Sequence, residues 1–288
     1  MILNSHAKLN LYLQVLNKRK DKYHNLKTIF ERISLCDKII LKVRQDKLIK
    51  ISCSDPQVPE DETNLCFRSA KLLQQEFNCL KGIEIEIVKR IPVGAGLGGG
   101  SSNAATVLMG LNRLWKLKLS KKRLVELGKR IGCDVPFFIY DTPFALGTKR
   151  GDEIRPLPSL KGVRLWHLLV VPKIKVRTPL IYAKFDEYSG LTRKNCNVKI
   201  INLALRQKRL FRQDSLLYNS LEEVTARLYP EVRRIENKLA SLGLKTVLMS
   251  GSGPAVFGIA SSRKEAATIA RQLKGKGRSW RIFLVSTF

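Results

Sequence analysis

The chain has 288 residues, 44% of them hydrophobic, and 53 Lys and Arg stand against 24 Asp and Glu for a formal net charge of +29. That length and apolar content exclude a disordered basic tail and a small disulfide-stapled scaffold, and predict one large domain or two ordinary ones. The basic residues are spread along the whole chain, with short runs at Lys18-Arg19-Lys20, Lys121-Lys122-Arg123 and Lys208-Arg209; without interleaved aromatics they read as a solvated basic surface, and no nucleic-acid partner is expected.

Leu9, Leu11, Leu13 and Val15 alternate with other residues, so residues 1–15 are predicted to be a strand and not an apolar leader. Residues 21–25 form a polar turn. Residues 38–43 and 47–52 are predicted as two strands of a hairpin around Gln45-Asp46, followed by a loop broken by Pro56 and Pro59. Thr63 is placed to cap a helix carrying Leu65, Ala70, Leu72, Leu73 and Phe77. Ile83, Ile85 and Ile87 alternate with Glu84 and Glu86 as a strand that ends by Pro92. Helical spacing then runs from Ala104 to Trp115 and from Lys121 to Ile131, with a turn at residues 132–136. Pro156 and Pro158 suggest a boundary near residue 155, dividing the chain into residues 1–155 and 156–288. Beyond it, strands are predicted at 165–171, 246–249, 255–259 and 281–286, and helices at 198–205, 231–242 and 264–273.

No apolar stretch approaches the length of a bilayer span. The six cysteines, at positions 36, 53, 66, 79, 133 and 196, include no C-x-x-C pair and are expected to be buried reduced thiols. A soluble, cytoplasmic protein with no membrane partner follows as the expectation.

The strongest chemical signal is Gly94-Ala95-Gly96-Leu97-Gly98-Gly99-Gly100-Ser101-Ser102, lying between a predicted strand and a predicted helix. Bare backbone there lets N–H groups approach an anion closely, and the helix N-terminus adds partial positive charge. Ser101 and Ser102 can cap the helix or donate to phosphate oxygens. The P-loop pattern G-x-x-x-x-G-K-[ST] is absent, as are the H-R-D and D-F-G segments of protein kinases. A dinucleotide fold would need an acidic residue about twenty positions on, where Ser120-Lys121-Lys122 stands instead.

Pro92-Val93 followed by this run resembles the ATP loop of the GHMP kinases, the superfamily named for galactokinase, homoserine, mevalonate and phosphomevalonate kinases. Three further segments carry the likeness: Ala7-Lys8-Leu9-Asn10-Leu11 with Asp21-Lys22-Tyr23-His24-Asn25-Leu26, then Gly132-Cys133-Asp134-Val135-Pro136, then Ser250-Gly251-Ser252-Gly253-Pro254. Together they resemble the members of that family that phosphorylate a cytidyl-diphosphate-linked methylerythritol. The resemblance implies an α+β, two-domain GHMP fold, with a ribosomal-protein-like N-terminal domain and a ferredoxin-like C-terminal domain. It also implies ATP with Mg²⁺, the metal travelling on the phosphates, and no protein metal ligand is assigned.

The resemblance implies roles for individual residues. Asp134 is the expected acid-base group, its alternative being a helix cap. Lys8 is the expected cation beside it, its alternative a lysine snorkelling from an exposed strand face. Asn10, on the same strand face, orients the acceptor hydroxyl or satisfies buried backbone. Tyr23 stacks on the cytosine, His24 holds it largely through its backbone, and Tyr182 is a second aromatic for the base or a core residue. Gly251, Ser252 and Gly253 close over the site with backbone donors or form a plain turn. Lys22 stands where the family commonly has glycine, and Asn103 where an aspartate is also common. Two rivals remain at this point: a GHMP kinase for a different small alcohol, and a basic RNA-binding protein on a related fold.

Overall fold

The computed structural model describes residues 1–188, 198–207, 216–273 and 279–288; Cys196 and the Lys208-Arg209 run lie outside them. Among the described residues two sheets form the framework. The first contains β1 (Ile2–Lys18), β2 (His24–Arg44), β3 (Ile49–Cys53), β4 (Gly82–Val88), β5 (Phe144–Lys149), β6 (Glu153–Pro156) and β8 (Tyr218–Asn219). The second has the order β11-β7-β10-β9, from β7 (Trp166–Pro172), β9 (Thr246–Met249), β10 (Val256–Ala260) and β11 (Trp280–Ser286).

Helices cover the outer faces. α1 (Leu65–Glu76), α2 (Gly99–Leu114), α3 (Lys121–Ile131) and α4 (Val135–Tyr140) share a core with Ile39, Leu41, Ile83, Ile85 and Ile87 of the first sheet. α7 (Glu222–Leu228), α8 (Pro230–Ser241) and α9 (Arg263–Leu273) pack on the second. Between the sheets, Leu9, Leu11, Ile33 and Leu35 meet Leu169, Val171, Phe257 and Val285. α5 (Thr178–Glu187) and α6 (Val198–Arg206) follow β7 in the chain.

The alternation of β1 survives, but the strand has no exposed face from Ser5 to Val15. Every residue from Ser5 to Val15 is buried, because β1 lies between β2 and β8 and has cover on both sides. Its polar residues therefore point into the molecule, which makes them candidates for chemistry. β2 alternates in the same way, burying Glu31, Ile33, Leu35, Asp37, Ile39 and Leu41. Glu31 joins the two sheets: it accepts from His167 Nε2 at 3.0 Å and from Thr287 Oγ1 at 2.5 Å, with Glu31 and His167 fully buried. A carboxylate only accepts, so Nε2 carries the proton.

Three expectations need correction. The predicted hairpin is not formed: β4 lies between β2 and β3, antiparallel to β2 and parallel to β3. The longer loop to β4 costs little more closure entropy, and three buried isoleucines decide the pairing. The cap of α1 is Asn64, whose side chain accepts from Cys66 N at 2.8 Å, while Thr63 donates to Asp61. Among the described cysteines only Cys66 is buried; Cys36, Cys53, Cys79 and Cys133 are partly exposed.

α7 and α8 bring two carboxylates together. Glu222 accepts from Met249 N at 2.7 Å, Glu236 accepts from Arg233 at 2.9 Å, and the second oxygen of Glu236 is buried without a partner. Burial first, then the neighbouring Glu222, pushes Glu236 up to about 8; burial also raises Glu222. The folded state thus holds protons that the unfolded chain releases in the ordinary carboxylate range, so this pair's contribution to stability falls as pH rises from about 4.5 to about 8. Glu236→Gln is expected to melt above the wild type at pH 9 and level with it at pH 5; a difference independent of pH would contradict this assignment.

Candidate active site

The glycine loop alternates in space as it does in sequence. Ala95 and Leu97 are buried in the core between the sheets, and Gly94, Gly96 and Gly98 have φ of +66°, +76° and +68°. At Gly96 no other residue fits, since an added Cβ would lie 2.3 Å from Ser250 O. Backbone bonds lock the loop to its neighbours: Lys8 N donates to Leu97 O at 3.0 Å and Ala255 N to Ala95 O at 3.2 Å. α2 begins at Gly99 behind Gly98, which caps it with no side-chain bond.

Two cavities flank this loop. The smaller, about 410 Å³, is lined by Pro92, Val93 and every residue from Gly94 to Ser101, with Asn64 and Lys89 opposite. The larger, about 810 Å³, is lined by Lys8, Asn10, Tyr23, His24, Asp134 and Tyr182 together with Gly251 and Ser252. Gly96, Gly98 and Ser101 line both. The residues singled out from four separated sequence segments therefore converge on one place. Ser102 and Gly253 line neither cavity; the Ser102 hydroxyl is buried, accepting from Ser5 Oγ at 2.8 Å. Gly253 packs against Met249 and precedes a cis peptide to Pro254.

Lys8 is 4% exposed, which removes the snorkelling alternative. Its ammonium donates to Asn10 Oδ1 at 2.5 Å, lies 3.7 Å from Asp134 Oδ2 and sits 5.3 Å from the centre of the Phe30 ring. Asn10 Nδ2 donates to Thr28 Oγ1 at 2.8 Å, and Thr28 in turn donates to Tyr12 O at 2.7 Å. This chain fixes the amide so that its oxygen faces the lysine. Asp134 precedes α4 but makes no side-chain cap bond, so its carboxylate stays available to the cavity. Cys133 lines the same cavity, its thiol raised by burial.

The third glycine segment is held against β1 from below. Ser250 Oγ accepts from Asn10 N at 3.3 Å and donates to Gly96 O at 3.2 Å. Asn219 Nδ2 donates to Met249 O and Gly251 O at 2.9 and 2.7 Å. Ser252 shares a 2.7 Å bond with Thr178 at the start of α5.

At the far end of the larger cavity, Tyr23 is 53% exposed, with the Arg150 guanidinium 5.4 Å from its ring centre. His24 is buried, stacked on Tyr182 at 5.2 Å and 24°, and its Nε2 lies 2.7 Å from Asp186 Oδ1. The Lys18 ammonium reaches the other oxygen of Asp186 at 2.6 Å. Burial raises the Asp186 carboxyl, but the hydrogen bonds from Lys18 and His24 outweigh it and hold the group below its ordinary range. Lys22 has φ +67° in the turn before Tyr23. A non-glycine residue there costs on the order of 1 kcal/mol.

Sequence reasoning missed Asp37, Lys89, Arg150 and Asp186. Asp37 and Lys89 form a buried ion pair at 2.5 Å beneath the loop. Asp37 also accepts from Arg90 N, Ile91 N and Asn103 Nδ2 at 2.7, 2.9 and 2.9 Å. Asn103, which also donates to Ser5 at 2.9 Å, is thus a buried strut that also borders the smaller cavity. Removing Asp37 would strand a buried ammonium and three donors. Asp37→Ala is expected to lower stability by about 3–5 kcal/mol in denaturant titration, and a loss below about 1 kcal/mol would contradict the role given to this pair.

Comparison with known proteins shows the family. The family model for the GHMP kinases N terminal domain matches residues 64–142, and that for GHMP kinases C terminal matches residues 201–279. The 4-diphosphocytidyl-2-C-methyl-D-erythritol kinase of Shouchella clausii is 43% identical over 274 residues, covering 93% of this chain and 89% of that protein. The kinase of the same name from Bacillus subtilis is 40% identical over 269 residues, covering 93% and 91%. A crystal structure of 4-(cytidine 5'-diphospho)-2C-methyl-D-erythritol kinase superposes with a TM-score of 0.84 at 32% identity, covering all of both chains. A homoserine kinase from Cytophaga hutchinsonii, 19% identical, superposes at 0.70 over 98% of this chain and 95% of its own, a likeness of fold alone. With both halves of the superfamily matched and relatives of this identity along nearly its whole length, the chain belongs to the GHMP kinases, in the 4-diphosphocytidyl-2-C-methyl-D-erythritol kinase family.

Proposed function

We propose that this chain transfers the γ-phosphoryl group of ATP to the 2-hydroxyl of 4-diphosphocytidyl-2-C-methyl-D-erythritol, giving the 2-phosphate and ADP, in non-mevalonate isoprenoid precursor biosynthesis. The observation that carries this reading is the junction of two cavities at Gly96, Gly98 and Ser101, with Lys8 and Asp134 lining the larger. A nucleotide in the smaller cavity would lay its phosphates along Gly94 to Ser101 and present the γ-phosphoryl at that junction. An acceptor in the larger cavity would reach it from the other side. The two units, residues 1–155 and 156–288, close on the substrates together, since α5 and the Gly251-Ser252 segment supply walls from the second unit.

Asp134 accepts the proton of the 2-hydroxyl as its oxygen attacks the γ-phosphorus, and the bond to the β-phosphate oxygen breaks to release ADP. The Lys8 ammonium, 3.7 Å from Asp134 Oδ2, stabilises charge on the transferring group. Asn10 aims that ammonium. ATP enters as its Mg²⁺ complex, the metal held mainly by the phosphates. Tyr23, His24 and Tyr182 form the cytosine end, with one face of Tyr182 already occupied by His24. Lys18, Lys22 and Arg150 line the same cavity and give it a cation excess over Asp134 and Asp186, which suits a diphosphate.

The test is ADP release with MgATP and the cytidyl-diphosphate acceptor, comparing the wild type with Asp134→Ala. Turnover by the wild type, lower by about 10²–10⁴-fold in kcat in the variant with ATP binding retained, is expected. No turnover with this acceptor, or a variant as active as the wild type, would overturn the assignment.

A further inference from the structure

Asp186 belongs to no sequence motif, yet it ties three elements together. Lys18 ends β1, His24 begins β2, and Tyr182 and Asp186 lie one turn apart on α5. Residues four apart share a helix face, so α5 delivers a ring and a carboxylate to the same place. His24 uses both: its ring face lies on Tyr182 at 5.2 Å, and its Nε2 meets Asp186 at 2.7 Å.

The carboxylate can only accept, so the proton of this bond sits on Nε2. In a neutral imidazole the other nitrogen, Nδ1, is then an acceptor. An outer partner that fixes a histidine in one tautomer and one orientation also fixes what the ring offers a ligand. His24 is one of the residues lining the larger cavity. An Nδ1 lone pair turned toward that cavity would match a ligand N–H, such as the exocyclic amine of cytosine. Against uracil it would face a carbonyl oxygen, setting two acceptors against each other in a desolvated place.

We propose that Asp186 is a positioning residue of this site, holding His24 in the Nε2–H form so that its Nδ1 lone pair selects an amino-bearing pyrimidine over an oxo-bearing one. The inference rests on the reading of the larger cavity as the acceptor cavity.

Two measurements test it. Long-range ¹⁵N–¹H NMR of His24 in the free wild-type protein at pH 8 should show the Nε2–H tautomer, and Asp186→Ala should lose that single form. An Nδ1–H ring, a doubly protonated ring, or a tautomer unaffected by Asp186→Ala would overturn the proposal. In kinetics, Asp186→Ala should raise the acceptor KM about tenfold, with kcat and the ATP KM within about twofold of wild type. It should also narrow the preference for the cytidine acceptor over its uridine analogue, and Asp186→Asn, which keeps an accepting oxygen, should restore part of both. An unchanged acceptor KM, or equal losses for the cytidine and uridine acceptors, would overturn it. If the wild type fails to turn over the cytidine acceptor, the reaction assignment falls, while the tautomer measurement still decides the role of Asp186.

Discussion

The glycine loop must satisfy two demands at once, and most of the site follows from how it does so. Its backbone lies open to two cavities, and the loop is also pinned to the core between the sheets. Ala95 and Leu97 meet the second demand by inserting into the core between the sheets. Gly94, Gly96 and Gly98 meet the first, in a left-handed conformation that leaves no side chain over the surface. Because Gly96 closes so tightly on Ser250 O, the loop also sets the position of the third glycine segment. Through Ser250, that segment is bonded to Asn10 on β1. Glycine loop, strand and third segment are thus one mechanical unit.

Buried charge is concentrated around that unit. Lys8 lies on a central strand and is 4% exposed, so Asn10, Asp134 and the Phe30 ring surround an ammonium that borders the larger cavity. A buried ammonium keeps its charge only where acceptors and counter-charge are at hand. The same rule operates beneath the loop, where Asp37 and Lys89 neutralise each other, and at the sheet joint, where Glu31 meets His167. The Glu31–His167 pair is enclosed, Lys89 borders the smaller cavity, and the Lys8–Asp134 pair opens to the larger one.

Motifs of unusual composition were legible in the sequence. The glycine run and the Ser250-to-Pro254 segment specify backbone conformations that few residues permit, the alternation of β1 specifies a strand, and each lies where the pattern placed it. Asp37 also left a signal, since it shares a strand face with Leu35, Ile39 and Leu41, and an acid on an apolar face needs a partner. Tyr182 and Asp186 left a weaker one in their one-turn spacing. What the sequence could not disclose was pairing over distance. The hairpin error arose there, because Gln45-Asp46 looks like a local turn while the partner of β2 is a strand some forty residues on. Asp186 with His24 is the same kind of contact, 162 residues apart in sequence. Nothing local to either residue announces it.

A crystal structure with a non-hydrolysable ATP analogue and the acceptor together tests the central claim most directly. The account predicts the nucleotide in the smaller cavity, its γ-phosphorus at Gly96, Gly98 and Ser101, and the acceptor's 2-hydroxyl about 3–3.5 Å from that phosphorus, beside Asp134. A nucleotide seated in the larger cavity, or a γ-phosphoryl group held away from Lys8 and Asp134, would contradict it.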